Sequence, residues 1–363
     1  MMMIRIGKDN FIVFSDDLTG ANGVSGMMAK FCSSAVFNHD KIFSDVDEHF
    51  QCITLNTKTR MLDGESAYSI LSDLNGIITE KGARMGKRID STLRGNMEKE
   101  IIPFLERNSA IMTDTIPEYG RYTENGNTIT QETSLDIAER FRELEVIPLK
   151  IHELRNARIE SGKVYVVDSR TYSDLERIAE FTYRNGYIPM DPGPLCSMVA
   201  SLHIPGGRRN LKIPAISSIS YIIGSMEKKT FLQLEHARSR GIRIVHINEF
   251  SGEFSRTLIL RLNYMEHRHL IDDIFIERIS RFDSFVLSGG ETANTVFEKS
   301  GGIYIESLGD LFPIVGIGKI HGGRLDGKIV VTKGGMIGSE NIYISILNLL
   351  LSGEDGKDRN YTW

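Results

Sequence analysis

The chain has 363 residues, 41% hydrophobic and 25% charged, with 43 Lys and Arg against 48 Asp and Glu for a net charge of -5. Those proportions describe an ordinary globular protein, long enough for two domains that each bury a core. They exclude a chain built chiefly to coat nucleic acid, since no overall basic excess is present to neutralise phosphates.

In chain order, "FIVFS" (Phe11–Ser15) predicts a strand, followed by a helix on which Val24, Met27, Met28 and Phe31 recur at helical spacing. "QCITLN" predicts the next strand, and Ala67, Ile70, Leu71, Leu74 and Ile78 form one face of the helix after it. "ARMGKRI" and "AIMTD" continue the strand series, with a helix over 95–107 between them. The stretch "PEYGRYTENGNTIT" reads as irregular, and "KVYVVD" and "GYIPMD" then resume the strands. His203–Ser218 combines Pro, Gly and cations without periodicity, which places the domain boundary there and divides the chain into 1–205 and 206–363. Beyond it come "ISYIIGS", a helix from about Thr230, "RIVHIN", "FDSFVLSGG" and "GKIVVTKGG". The closing helix carries Ile342, Ile346, Leu349 and Leu350 on one face. The expected fold is α/β: two domains, each a mostly parallel sheet flanked by helices, with a cleft between them.

Three isolated cysteines, Cys32, Cys52 and Cys196, have neither metal-ligand spacing nor a disulfide framework, which predicts a reducing, cytoplasmic setting. The opening residues lack the apolar run of a signal peptide, and no segment reaches transmembrane length, so no membrane partner is expected.

Three constellations carry chemistry. "FSDDLTGAN" takes a strand into Asp16 and Asp17, then Thr19, Gly20 and a helix. Ligands of open α/β sheets collect just past the carboxyl ends of strands. Helix capping alone would account for one acid there. Two adjacent acids followed by Thr-Gly argue for function. The D-x-D-x-T phosphatase signature does not fit, because it would put Ser15 where a carboxylate nucleophile is required.

The second is "KRIDSTLRGN". Lys87, Arg88 and Arg94 can clamp an anion, Asp90 can accept hydrogen bonds from hydroxyl groups, and Ser91 and Thr92 add neutral donors. Arg60, which ends "LNTKTR" after another strand, can join the same pocket. The set suits a small, polyhydroxylated acid. The third comprises "IIGSMEKKT", "VLSGGETAN" and "VTKGGMIGSEN", each an apolar strand, a glycine turn and a helix start. Main-chain amides at such turns bind phosphate. Neither the Walker loop nor G-x-G-x-x-G is present, and "GIGK" at 316–319 lacks the hydroxyl residue that should follow. His267 and His269 lie in a charged surface run, the other histidines have no zinc spacing, and no G-x-S-x-G occurs.

Together these motifs resemble the four-carbon acid sugar kinase family, whose members phosphorylate threonate, erythronate or 3-oxo-tetronate with ATP. "SDDLTGAN" resembles the family's "ADDLTGA", "KRIDSTLRGN" its "KKIDSTLRGN", "YGRYT" its "GRxT" and "SGGETA" its "SGGDTA". "GSMEKKTFLQ" matches a Gly-Ser turn with downstream Thr230 and Gln233, while "KGGMIG" keeps Lys333, Gly335 and Gly338 of "KxGGFG" but carries Met336 and Ile337 between them. "RYTENGNTIT" and "MDPGPL" match poorly.

The resemblance implies an N-terminal acid-sugar domain and a C-terminal nucleotide domain. It carries substrate contacts onto Asp17, Arg60, Lys87, Arg88, Asp90, Ser91 and Arg94. It carries nucleotide contacts onto Ser225, Gly289, Gly290, Glu291, Thr292 and Gly335. The expected cofactors are ATP and Mg2+, with unassigned metal ligands, and the proton acceptor is Asp17, with Asp16 and Asp90 as alternatives. The expected partner is a small sugar acid and not nucleic acid; a homodimer is left open. A kinase for glycerate or a longer aldonate would share every motif. A non-catalytic sensor would need only one half of them.

Overall fold

The continuous apolar runs of the N-terminal half become strands buried on both faces, as parallel sheets require. The structure is a computed structural model that describes residues 6–42, 49–204, 206–214 and 216–351. Its first eleven strands are β1 (Phe11–Ser15), β2 (Ser34–Asn38), β3 (Cys52–Asn56), β4 (Arg84–Arg88), β5 (Ala110–Met112), β6 (Tyr122–Glu124), β7 (Asn127–Ile129), β8 (Ser134–Asp136), β9 (Val146–Leu149), β10 (Val164–Val167) and β11 (Ile188–Asp191). In the C-terminal half lie β12 (Ile219–Ile223), β13 (Ile244–His246), β14 (Thr257–Arg261), β15 (Ser284–Ser288), β16 (Tyr304–Phe312), β17 (Val315–His321) and β18 (Ile329–Lys333).

Side-chain alternation divides β1 between two cores: Ile12 and Phe14 pack on one face, Phe11 and Val13 on the other. The helix Gly64–Lys81 buries Ala67, Leu71, Leu74 and Ile78, with Ile70 at the rim. It is capped by Asp63 and ended by Gly82 in the left-handed region at φ 72°. The first helix, Leu18–Ala29, stops before Phe31, which therefore leaves the predicted helical face.

Both halves are mostly parallel sheets flanked by helices, and they are joined. Fifteen strands form one sheet in the order β13-β14-β12-β15-β18-β17-β16-β2-β3-β1-β4-β11-β5-β10-β9. The seam is the hairpin β16–β17, antiparallel to β2 on one side and to β18 on the other. Strands β2, β9 and β14 and this hairpin have no counterpart in the predicted series. The "PEYGRYTENGNTIT" stretch is not irregular either. It supplies β6 and β7 of a separate three-stranded antiparallel sheet. Its turn residues Asn125 and Gly126 take φ of 50° and 74°, the backbone that an Asn-Gly hairpin loop favours. Part of the predicted boundary, Pro205 and Ala215, lies outside the described residues. Beside it, Arg209 donates to the carbonyls of Lys30 and Cys32 at the end of the first helix.

All twelve residues of the first helix are buried. It packs on β16 and β17 as well as on the N-terminal strands, so it belongs to both halves. Asn22 Nδ2 donates to the Gly316 carbonyl and to Thr332 Oγ1, both at 3.1 Å, and Ser25 Oγ lies 2.6 Å from Ser307 Oγ. Glycines permit this approach: a Cβ added at Gly26 would stand 2.2 Å from the Gly309 carbonyl oxygen. Gly→Ala in a helix normally adds about 0.5–1 kcal/mol of stability. At Gly26 the overlap is expected to reverse the sign, giving a net loss of about 1–2 kcal/mol in urea unfolding. Gly76→Ala is the control, because a Cβ there meets nothing within 4 Å and should stabilise.

Candidate active site

The register of the central strands aligns the loops that carry the acids and cations. Ser15, the last residue of β1, pairs with Asn56 of β3 and with Arg88 of β4. Asp16–Asp17, the loop to Arg60, and Ile89–Arg94 therefore emerge side by side. Arg60 ties them together. Its Nε and Nη2 bind the two oxygens of Asp16 at 2.8 and 3.0 Å, Nη1 reaches Asp17 Oδ2 at 2.8 Å, and Nη2 also meets Asp90 Oδ1 at 3.2 Å. Arg88 Nη1 adds contacts of 3.3 Å to Asp16 and 3.4 Å to Asp17, and its buried Nε has no hydrogen-bond partner. The guanidinium lies over the first turn of the first helix, where a Cβ on Gly20 would come within 2.3 Å of it.

Burial works to raise the pKa of Asp16 and Asp90, and the surrounding cations overcome it. Arg60, Lys87 and Arg88 hold Asp16 below the ordinary carboxylate range, and Arg60, Arg88 and Arg94 hold Asp90 well below it. Asp17 also caps the first helix, accepting from the Gly20 amide at 2.8 Å, with Thr19 Oγ1 donating to its Oδ2 at 2.8 Å. Capping and membership of the cluster thus coincide in one side chain.

Lys87 does not join the others. Neighbours in a strand face opposite ways, and the fully buried Lys87 turns from Arg88 to pair with Glu100 at 2.7 Å. Ser91 is buried beside Asp90, and its carbonyl accepts from Arg121 Nη2. Arg121 is the arginine of "YGRYT". It grips Asp114 through Nε and Nη2 at 2.8 and 2.5 Å, and burial raises the Asp114 pKa despite that pairing. Neither residue was singled out from the sequence for a role. The available signal was an acid ending the "AIMTD" strand with an arginine seven positions on.

The same alignment orders the C-terminal half. Ile223 pairs with Ser288 and Ser288 with Lys333, so the three glycine turns leave neighbouring strands at one level. Ser225 Oγ lies 2.9 Å from Thr230 Oγ1, which donates to the Gly335 carbonyl at 3.1 Å. An added Cβ would stand 2.1 Å from Ser225 Oγ at Gly335, 2.0 Å from Thr292 Oγ1 at Gly224, and 3.2 Å from the Ser225 amide nitrogen at Gly289. Ser225, Gly289, Thr292 and Gly335 therefore meet in one cradle, and the adjoining Gly290 and Glu291 open the helix Gly290–Lys299. Burial raises the Glu291 pKa, and the charges of Asp17 and Asp16 add to the rise.

The two groups are contiguous. A Cβ on Gly290 would lie 2.2 Å from Asp17 Oδ2, and Arg94 Nη1 pairs with Glu227 Oε1 at 2.6 Å across the halves. Arg94 is the accessible cation of the set, its side chain 44% exposed. The glycine cradle, lined by main-chain groups and small hydroxyl side chains and set at a helix N-terminus, fits a polyphosphate. Among the described residues no group of three or more His, Cys, Asp or Glu could hold a metal ion.

Residues 11–157 match the model of the sugar-binding N-terminal domain family. Over 94% of its length the chain is 22% identical to the D-erythronate kinase of Heliobacterium modesticaldum, covering 97% of that protein. Both findings support the resemblance to the four-carbon acid sugar kinase family. Its fold is that of Haemophilus influenzae protein HI1011, a DUF1537 structure, at a TM-score of 0.67 and 15% identity, covering 94% of this chain and 100% of that one. A Salmonella typhimurium LT2 structure gives a TM-score of 0.70 at 14% identity, with 94% and 99% covered. Two of the family motif's outlying residues acquire physical roles here. Thr230 links the Ser225 turn to Gly335, and Gln233 Nε2 donates to the carbonyls of Ile337, Gly338 and Ser339 at 3.0–3.3 Å. No helix among the described residues is long and apolar enough to cross a membrane.

Proposed function

We propose that this protein transfers the γ-phosphoryl group of ATP to a hydroxyl of a small sugar acid, a four-carbon aldonate such as threonate, erythronate or 3-oxo-tetronate. Residues 1–205 hold the acid and residues 206–363 the nucleotide. One observation carries the reading: Asp17 belongs to the arginine cluster and also touches Gly290 at the glycine cradle. An acceptor hydroxyl beside Asp17 would thereby stand next to bound phosphates.

Phosphoryl transfer requires alignment and neutralisation of spreading negative charge more than covalent help. Arg88, through its unpartnered Nε, and Arg94, at the accessible edge, would fix the substrate carboxylate. Arg60 would hold Asp16 and Asp90 ionised and keep Asp17 in place. Asp17 accepts the hydroxyl proton as the new O–P bond forms and the bond from phosphorus to the ADP oxygen breaks. Amides of Gly289–Thr292 and Gly335 would hold the polyphosphate. When bound, Mg2+ would neutralise its oxygens.

ADP release from ATP and Mg2+, measured over a panel of tetronates, glycerate and longer aldonates, tests the proposal. Release above the ATPase background with a tetronate, and product NMR showing a phosphate ester, is the expected result. Binding of both ligands by calorimetry with no turnover on any acid would instead identify a sensor. Arg94→Ala is expected to raise KM for the acid about tenfold or more with a smaller change in kcat, because its charge-assisted contact is worth about 1.5–3 kcal/mol.

A further inference from the structure

The cradle contains one charged group that the proposed chemistry does not use. Lys333, the last residue of β18, is fully buried, and its ammonium points into the turn that follows. Nζ donates to Gln233 Oε1 at 2.9 Å, to the Gly334 carbonyl at 2.9 Å and to the Ile337 carbonyl at 3.2 Å. The Gln233 amide clasps the same turn through its three carbonyl contacts. From the helix Lys228–Ser239 the lysine is faced by Gln233 and by the like charge of Lys229. From the helix Ile342–Leu351 it is faced by the ring of Tyr343, 5.2 Å away. None of its partners is a carboxylate.

A buried ammonium without a counter-ion is costly. Burial, with Lys229 adding to it, brings the pKa of Lys333 down to about 7. The carbonyls of the turn converge on the ammonium, while Gly335 in the same turn borders the cradle. We propose that Lys333 is a buried counter-charge to the nucleotide polyphosphate: a positioning residue that braces the 334–339 turn and takes up a proton when the nucleotide binds. This rests on the nucleotide half of the proposed function.

The sign follows from linkage. A polyanion above the turn favours the charged lysine, so the bound-state pKa lies above the free value. Affinity is greatest below about pH 7, where the lysine already carries its proton, and falls as pH rises through that value.

The test is calorimetry of ATP and Mg2+ binding, without acceptor acid, from pH 6.5 to 8.5 in two buffers of different ionisation enthalpy. The wild type is expected to lose roughly five- to tenfold in affinity across this range and to take up a substantial fraction of one proton near neutrality, as one linked group allows. Lys333→Met should bind more weakly at pH 6.5 and lack this uptake, its profile retaining only the nucleotide's own titration. Gln233→Glu puts a carboxylate against the ammonium, keeps the lysine charged to higher pH and should flatten the profile too. It carries the test if the methionine variant fails to fold. Matching pH profiles and proton uptake in the wild type and a folded variant would overturn the role of Lys333 alone. A wild type that binds no nucleotide at any pH would overturn the proposed function and the lysine's role together.

Discussion

Asp17→Asn is expected to lower kcat by about 10²- to 10⁴-fold, the usual contribution of a positioned general base, while the affinity for the sugar acid changes only a few-fold. Asparagine retains an oxygen for the Gly20 amide, so the helix cap survives. It also leaves Arg60 anchored by Asp16 and Asp90. What disappears is the carboxylate charge able to receive the hydroxyl proton beside Gly290. Steady-state kinetics together with acid binding by calorimetry separate the two effects. Equal losses in both would make Asp17 a binding group and move the proton-accepting role to Asp16 or Asp90.

Lys87→Met is expected to cost about 3–5 kcal/mol of folding stability, because it strands a buried carboxylate. Lys87 and Glu100 are both fully buried and 2.7 Å apart. Thr59 Oγ1 donates to the other Glu100 oxygen at 2.6 Å, a neutral contact that cannot compensate the lost cation. Adding Glu100→Leu should recover most of the loss in urea unfolding, since replacing both members of a buried pair is tolerated far better than removing one. A substrate-binding lysine would behave differently: stability would barely move, and KM for the acid would rise. The sequence motif groups Lys87 with Arg88 and Arg94, and the pleat of β4 separates them.

That separation marks where sequence reading stops. The motif positions announce strand ends, because an apolar run followed by polar and glycine residues is how a buried parallel strand delivers a loop. Asp16, Asp17, Arg60, Asp90 and Arg94 were legible in this way, and so were the three turns at Ser225, Gly289 and Gly335. The facing of each side chain within a polar segment such as "RMGKR" was not, since no apolar alternation marks its two sides. Arg60 reads as a free cation in the sequence and is instead saturated by three aspartates. The β16–β17 hairpin escaped because Glu306, Gly309 and Asp310 interrupt its apolar residues. The "GIGK" glycines lie within it, where a Cβ on Gly316 would fall 2.0 Å from the Asn22 carbonyl oxygen. Their role is close backbone packing. The hairpin β6–β7 did have a readable signal, the Asn125–Gly126 pair, and the neighbouring polar residues obscured it.

The fused sheet bears on how ligands come and go. A hinge swinging the lobes apart would have to peel β2 from β16 and pull the first helix off the hairpin, breaking its buried Asn22 and Ser25 bridges. Large rocking of that kind is closed to this architecture at ordinary cost. Access is left to a small gate at the rim, where parting Arg94 from Glu227 breaks one partly exposed ion pair. Under the proposed function, ligand entry would turn on this one ion pair and not on whole-domain movement.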